Sequence, residues 1–448
     1  MDASLIPQFG GLIWTLLAFV VALSIIVAIH EYGHYIVGRW CGIKADVFSI
    51  GFGPVLASRV DKHGTQWQIA ALPLGGYVKF RGDANAASVG ADGEVATMTD
   101  EERAQTMTGA AVWRRALTVL AGPVANFILS IAVFAGFVMV SGRAVEAPVI
   151  GQLQTLPPEV VMLQPGDEVV SIGGTPVTGL ADLTSAAEDI PSAPAIPYEV
   201  RRDGRLVAVD AALPMPARVE TVQPRSAAWD IGLRPGDVIR AIDDTPIHSF
   251  ADLREKVAAS DGAPLSLSVW RPDDGAGEML DFTLAPRRMD LPRPEGGFET
   301  RWLIGITGAL FFEPVTERAG PVEALSYGAE QTVFIIQSSL SALKHIILGQ
   351  ISTCNLSGPI GIAETSGATA SQGLDDFIWF IAVLSAAVGM LNLFPIPVLD
   401  GGHLVFHAYE GVTGKPPSDK AIRVLMTIGI ALMGALMVFA LFNDLTCP

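Results

Sequence analysis

His30, Glu31 and His34 stand in the spacing H-E-x-x-H within the stretch AIHEYGHYIVG, at the end of the apolar run IWTLLAFVVALSIIV. On a helix, positions i and i+4 share a face about 6 Å apart along the axis. Both imidazoles can therefore reach one cation. Glu31 projects from an adjacent part of the helix and can take a proton from a water on that cation. Zinc suits the chemistry, because it accepts histidine and carboxylate ligands and keeps a position open for water in catalytic sites. A charged group inside a membrane span costs typically ~2.5–3.5 kcal/mol, so three ionisable groups within five positions need a compensating partner. A bound cation is that partner; a hydrogen-bonded polar cluster without metal is the competing reading. The chain has only seven histidines, and two of them fall in this pattern.

Two histidines and a water leave the site one protein ligand short. The stretch NLFPIPVLDGGHLVFH (392–407) offers candidates. Pro395 and Pro397 break the helix there. Broken backbone at membrane depth is tolerated only where it faces protein or water, which is where a cavity has its lining. Asp400 follows, with Gly401 and Gly402 allowing close backbone approach. His403 and His407, also spaced i, i+4, compete with it for the ligand role. Asn392 is a candidate donor to an oxyanion, with capping of the broken helix as the alternative.

The elements that position these residues are spans. Of 448 residues, 50% are hydrophobic and 17% charged, a balance that points to a membrane protein. Ile13–Tyr35, Ala116–Val140, Phe377–Phe394 and Val424–Phe442 are each close to the ~20 residues that cross a hydrocarbon core. Residues 1–34 hold no Lys or Arg and no small-residue cleavage pattern follows the apolar run, so the first span reads as retained. The segment 36–115 carries nine Lys or Arg, and Lys415, Lys420 and Arg423 precede the fourth span. These basic loops favour the cytoplasm, with both termini and the long region 141–376 outside. The net charge of −17 argues against nucleic-acid binding. The acidic tract 92–105 reads as a solvated cytoplasmic loop. Cys354 and Cys447 both fall outside, where they could pair; Cys41 falls inside.

The outer region contains a repeat. LQPGDEVVSIGGTPVTGLADL (163–183) and LRPGDVIRAIDDTPIHSFADL (233–253) match at ten of 21 positions with an offset of 70. Each copy has strand-like runs around a Pro-Gly-Asp turn whose Asp can bond the following backbone. We place one copy at 146–215 and the other at 216–310. SAAWDIGLRPGDVIRAIDD closely resembles a PDZ domain of the bacterial kind, whereas LPPEVVMLQPGD in the first copy lacks the Ala-Gly-Leu lead-in. PDZ domains add peptide C-termini or extended segments to a sheet edge, and WLIGI (302–306) is part of that edge; a spacer that binds no peptide is the alternative. Residues 321–362 include a helical pattern too polar to span, suited to the outer membrane surface or to packing against the spans. On the cytoplasmic side, TQWQIAALPLGGYVKFRGD (65–83) reads as two strand-like arms around Gly75 and Gly76. It can also join a small sheet with DVFSIGFGPVLASRV (46–60).

HEYGH in the first span, NLFPIPVLDGG in the third, four spans and outer PDZ-like copies together resemble the site-2 protease family of intramembrane zinc metalloproteases, over essentially the whole chain. GFGP (51–54), AGPVANF (121–127) and SGPIGIA (357–363) resemble family segments too. The resemblance implies an α-helical polytopic membrane protein, with HExxH on the first transmembrane helix and LDG on the third. A small membrane-associated β-sheet lies in the cytoplasmic loop (36–111), and two PDZ-like α+β domains lie outside. It makes Asp400 the third ligand to one Zn2+ per chain, beside His30 and His34, and Glu31 the general base. It assigns 65–83 to a membrane-reentrant β-loop that pairs with an extended substrate, which brings in Gly75 and Gly76. The broken segment with Asn392, Pro395 and Pro397 is a further substrate-binding or oxyanion candidate. The implied substrates are single-span membrane proteins in a bacterial inner membrane, such as an anti-sigma factor already trimmed outside, or remnant signal peptides.

Two other classes compete. One is a catalytically inactive membrane scaffold acting through its PDZ-like copies, against which the intact His30, Glu31, His34 and Asp400 weigh. The other is a metal transporter, which usually shows paired, repeated spans with broken helices; these four spans show no such symmetry.

Overall fold

The computed structural model describes residues 5–83, 98–157, 163–273, 276–292 and 298–447. Residues 92–97 of the acidic tract, and 158–162 in the weak lead-in of the first repeat copy, lie outside the described residues. The chain forms two compact units: Met1–Gly136 with Pro321–Lys344 and Leu356–Cys447, and Phe137–Gly320 with His345–Asn355.

The first unit begins with α1 (Leu5–Trp40), one continuous helix that carries the apolar run and the histidine motif. Strands β1 (Ala45–Val60) and β2 (Gln66–Phe80) follow, then α2 (Val112–Ser141). The two arms around Gly75 and Gly76 do not pair with each other. Phe48 of β1 lies opposite both Trp67 and Val78, so residues 47–50 are flanked by the two halves of β2. The remainder of β1 folds back along the first half of β2, with Val60 opposite Gln66. Glycines permit these bends: Gly51 (φ 91°), Gly53 (φ 84°) and Gly75 (φ 147°) all lie in the positive-φ region. Phe48 stacks on Trp67, and Tyr35 of α1 meets both rings edge-on, which seats the sheet against the C-terminal end of α1. At its other end the sheet leaves Phe52, Val55, Leu56, Ile69 and Leu72 exposed.

The second unit holds the repeat, and the two copies have the same element order. In the first, β3 (Ile150–Leu153) precedes β4 (Glu168–Ile172), β5 (Thr175–Pro176), α3 (Leu180–Asp189), β6 (Ile196–Arg202) and β7 (Arg205–Ala211), in the sheet order β5-β4-β6-β7. In the second, β8 (Thr221–Val222) precedes β9 (Val238–Ile242), β10 (Thr245–Pro246), α4 (Phe250–Ala259), β11 (Leu265–Arg271) and β12 (Glu278–Leu284), in the order β10-β9-β11-β12. The offset of 70 is kept at β4/β9, β5/β10 and α3/α4. The Pro-Gly-Asp turns are equivalent in detail. Asp167 accepts from Arg202 and Asp237 from Arg271, each through two bonds of 2.7–2.8 Å. Each Asp also accepts a backbone N–H from three residues before it, Gln164 and Arg234, and not from the following backbone. The turn reverses the chain so tightly that the preceding amide is the nearer donor.

The second copy closes with β13 (Ile306–Thr307), which pairs with β8, and the chain then forms β14 (Phe312–Pro314), which pairs with β3. Phe311 and Phe312 are fully buried in the core of the first copy. A serial division at 215/216 therefore does not describe where the first core closes; the second copy is inserted before the first is complete. Within WLIGI, Trp302 pairs opposite Arg288 and Ile306 opposite Val222, so each already has a strand partner on one side.

The chain then returns to helices: α5 (Pro321–Ile347), α6 (Pro359–Gln372), α7 (Leu374–Asn392), α8 (Asp400–Thr413) and α9 (Asp419–Thr446). The stretch 321–362 is thus divided between α5 and the start of α6. A Cβ on Gly328 of α5 would stand 2.4 Å from the Ile131 carbonyl of α2, and Thr332 Oγ1 lies 3.1 Å from Ser130 Oγ, a contact built from small residues. Asp444 of α9 accepts the first amides of α6, from Gly358 and Ile360, both at 2.9 Å.

Among the described residues, four helices are long and apolar enough to cross a membrane: Gly11–Trp40, Val112–Ser141, Leu374–Asn392 and Asp419–Thr446, with mean hydropathies of 2.9, 2.2, 1.8 and 2.5. Their outer faces expose Leu12, Ile13, Ile128, Ile428 and Val438. In water such faces would drive aggregation; in lipid they are at home. Asp400 is not part of the third of these helices. It opens a separate helix, α8, after residues 393–399, because Pro395 and Pro397 end the run of helical backbone bonds. Cys354 and Cys447 are disulfide-bonded, and Cys41 is free.

Candidate metal centre

α1 brings His30 and His34 to one face, with their ring centroids 4.8 Å apart. Asp400, the first residue of α8, meets them there. Its Oδ2 lies 3.0 Å from His30 Nε2 and 3.5 Å from His34 Nε2, and the two Nε2 atoms are 3.2 Å apart. Among the described residues this is the group of three whose donor atoms could hold a metal ion. Asp400 Oδ2 is buried and has no hydrogen-bond partner. An orphaned carboxylate oxygen facing two imidazole nitrogens is unfavourable unless something positive sits among them. A zinc ion fits this donor set: two imidazoles and one carboxylate, with a coordination position left over.

The rings are held from behind by α2. His34 Nδ1 lies 2.8 Å from the Thr118 carbonyl. A carbonyl only accepts, so Nδ1 carries the proton and Nε2 turns its lone pair towards Asp400. His30 Nδ1 lies 3.2 Å from the Asn126 side-chain amide, whose Oδ1 is buried and without a partner. Half a turn of that amide gives the oxygen the Nδ1 proton and frees His30 Nε2 as a ligand in the same way. Between these two contacts sits Gly122. A Cβ there would lie 2.3 Å from His34 Nε2 and 2.8 Å from His30 Nε2, so only glycine leaves room for both rings. Gly33 gives the matching space on α1, where a Cβ would stand 2.4 Å from the Ala121 carbonyl.

Glu31 lies against β2. A Cβ on Gly76 would lie 3.4 Å from Glu31 Cγ and 2.7 Å from the Ser49 carbonyl, so the strand passes the carboxylate at a glycine. A cavity of about 540 Å3 opens beside these groups. It is lined by His30, Glu31, His34, Gly76, Asn392 and Asp400, among others.

The candidates divide accordingly. The structure brings together His30, Glu31, His34 and Asp400. Gly76 and Asn392 join them at the cavity wall, where Asn392 Nδ2 donates to the Val388 carbonyl one turn back in α7, at 3.1 Å. His403 and His407 line the cavity but stand outside the group of three. Pro397 packs towards Gly429 of α9, and Gly75 packs on the Phe52 ring. Sequence reasoning gave no role to Thr118, Gly122 or Asn126. An asparagine in the middle of an apolar span, four residues after a glycine, was the available signal.

A sequence model described as peptidase family M50 matches residues 18–436. A relative from Agrobacterium fabrum bearing the name "Putative zinc metalloprotease" is 35% identical, over 98% of this chain and 97% of its own length. A relative from Haemophilus influenzae named "Regulator of sigma E protease" is 34% identical, over 96% of this chain and 98% of its own length.

Proposed function

The chain belongs to peptidase family M50, as a multi-pass membrane zinc metalloprotease of the site-2 type, and from that premise we propose that it hydrolyses a peptide bond inside the membrane-spanning segment of single-span proteins. The reading is carried by the meeting of His30 and His34 with Asp400, 366 positions later, at a cavity wall inside a bundle of apolar helices.

In this reading His30, His34 and Asp400 hold one zinc ion. The bound ion supplies Lewis acidity, polarising the scissile carbonyl and lowering the pKa of the attacking water towards ~7. The Glu31 carboxylate takes a proton from that water and delivers it to the leaving amine nitrogen. Thr118 and Asn126 keep each imidazole in its ligating tautomer. A substrate helix must unwind before it is cut, and its freed backbone groups then need partners in apolar surroundings. β2 runs past Glu31, and an extended substrate lying along it would find such partners.

The active site lies towards the cytoplasm: His30 precedes Arg39 by nine residues, ~13 Å along the helix. Both termini and the repeat copies are then outside a bacterial inner membrane. The two copies resemble PDZ domains and act as a filter that excludes substrates with bulky outer parts. In this reading the substrate is an anti-sigma factor already trimmed outside, or a remnant signal peptide.

The test is reconstitution in lipid with a single-span substrate, trimmed or untrimmed, and wild-type or Glu31→Gln protein. Wild type should cut the trimmed substrate within its span, and Glu31→Gln should retain zinc and lose at least a thousandfold in rate. Cleavage by both proteins alike would remove Glu31 from the mechanism. No cleavage by zinc-loaded wild type would favour the scaffold reading.

A further inference from the structure

Four positions on α2 form one stripe: Arg115, Thr118, Gly122 and Asn126, at spacings of three, four and four. Three of them touch the two histidines, as described above. The fourth reaches the helix that carries Asp400. Arg115 Nη2 donates to Glu410 Oε1 of α8 at 2.7 Å, and Arg115 Nε donates to the Ala110 carbonyl at 3.0 Å. Both side chains are largely buried, at 13% and 15% exposure.

α8 needs such a tie. It has 14 residues, of which only Gly401 and Gly402 are buried. Those glycines sit directly on the backbone of 393–397, where a Cβ would lie 2.3 Å from carbonyl oxygens. The first turn is therefore fixed. Further along, Val405, Tyr409 and Val412 are exposed. Among the described residues, the other side-chain hydrogen bonds of this half, from Thr413, go only to Tyr409 and Lys415 nearby. The first half of the helix is held by these glycines and by Leu404, which packs on the core around Tyr35 and Val119; the second half is held by Glu410, ten residues after Asp400 and about 15 Å away. Without Glu410 the far half can tilt about the anchored first half, and Asp400 turns with it.

We propose that Arg115 and Glu410 are a positioning pair that sets Asp400 against His30 and His34. α2 then aligns all three ligands: two by direct contact and the third through this ion pair. The proposal rests on the ligand set given under Proposed function. Outer contacts of metal ligands typically change metal affinity 10–100-fold when removed.

The experiment measures release of zinc from the full-length protein to a chelator, alongside cleavage, for wild type, Glu410→Gln, the exchanged pair Arg115→Glu/Glu410→Arg, and Asp400→Ala. Glu410→Gln should release zinc at least tenfold faster and lower kcat more than it raises KM. The exchanged pair should recover most of both, because a positioning contact survives reversal whereas an Arg115 contact to substrate would not. Wild-type release by Glu410→Gln, or an exchanged pair no better than the single variant, overturns the proposal. Should Glu410→Gln not be recovered as monodisperse protein, Glu410→Asp keeps the charge and shortens its reach. Faster release is again expected, and unchanged release again overturns it. Asp400→Ala separates the two readings. If it holds zinc as wild type does, the ligand set itself is wrong; if it loses zinc while Glu410→Gln does not, only the positioning pair fails.

Discussion

Gly122 is the residue on which the metal centre depends without contributing an atom to it. Its missing Cβ is the space the two Nε2 atoms occupy. Gly122→Ala should abolish zinc retention and cleavage, because the only relief is movement of both rings away from Asp400. Gly136 lies on the same helix with nothing within 4 Å of its would-be Cβ, so Gly136→Ala should match wild type in both. Zinc content of the two purified variants checks this directly, and equal content would discredit the packing argument. At this scale the ligands were legible in the sequence and their supports were not. His30, Glu31 and His34 announce themselves by spacing within one helix. Thr118 acts through its backbone carbonyl, which no side-chain pattern encodes. Arg115 and Glu410 are 295 positions apart, and only the packing of α2 against α8 pairs them.

The β1–β2 sheet depends on a single turn residue, Asp61. Its carboxylate accepts from the amides of His63 and Thr65, from Trp67 Nε1 and from the Tyr35 hydroxyl of α1. Burial pushes this acid up, but the bonds from Trp67, His63, Thr65 and Tyr35 outweigh it and bring it down to about 2. A carboxylate depressed in the folded state stabilises fully above its ordinary range, and that stabilisation is lost as pH falls through about 4 towards 2. Wild type should therefore resist proteolytic nicking at 61–65 at neutral pH and become sensitive to an acid protease only below about pH 4. Asp61→Ala should be nicked several-fold faster already at pH 7, and equal rates there would count against the turn's role. The sheet also shows where sequence reading stops. Alternating residues on either side of Gly75 and Gly76 suggest arms that face each other. The true partner of both arms is residues 47–50, because positive-φ glycines in β1 and β2 let each strand bend across the other.

Across the whole molecule, the four apolar helices were readable from composition alone, since lipid demands an unbroken apolar run whatever the packing. Their observed ends extend beyond the apolar stretches, because a helix continues into water until a cap or a proline stops it; the exception is the third, which stops at Asn392, two residues short of Phe394, ahead of Pro395. Orientation, argued from basic loops, has a direct check. In protein with Cys41→Ser, Cys354 and Cys447 are already bonded to sulfur, so a cysteine introduced elsewhere is the sole free thiol. Lys62→Cys and Lys415→Cys should react with an impermeant maleimide only in inside-out vesicles, and Arg205→Cys and Glu255→Cys only in right-side-out ones. The opposite pattern would invert the topology.

The repeat was visible as an offset of 70, but its nesting was not, because β14 carries no likeness to any part of the second copy. That nesting has a consequence for how the protein is made. The second copy is one uninterrupted length of chain, from β8 to β13, and can close as soon as it has been synthesised. The first copy, begun earlier, must wait with its core open until Phe311 and Phe312 arrive. The order of synthesis and the order of completion are therefore reversed, and a chain stalled before residue 311 would expose the unfinished older copy to quality-control proteases while the younger one stood intact.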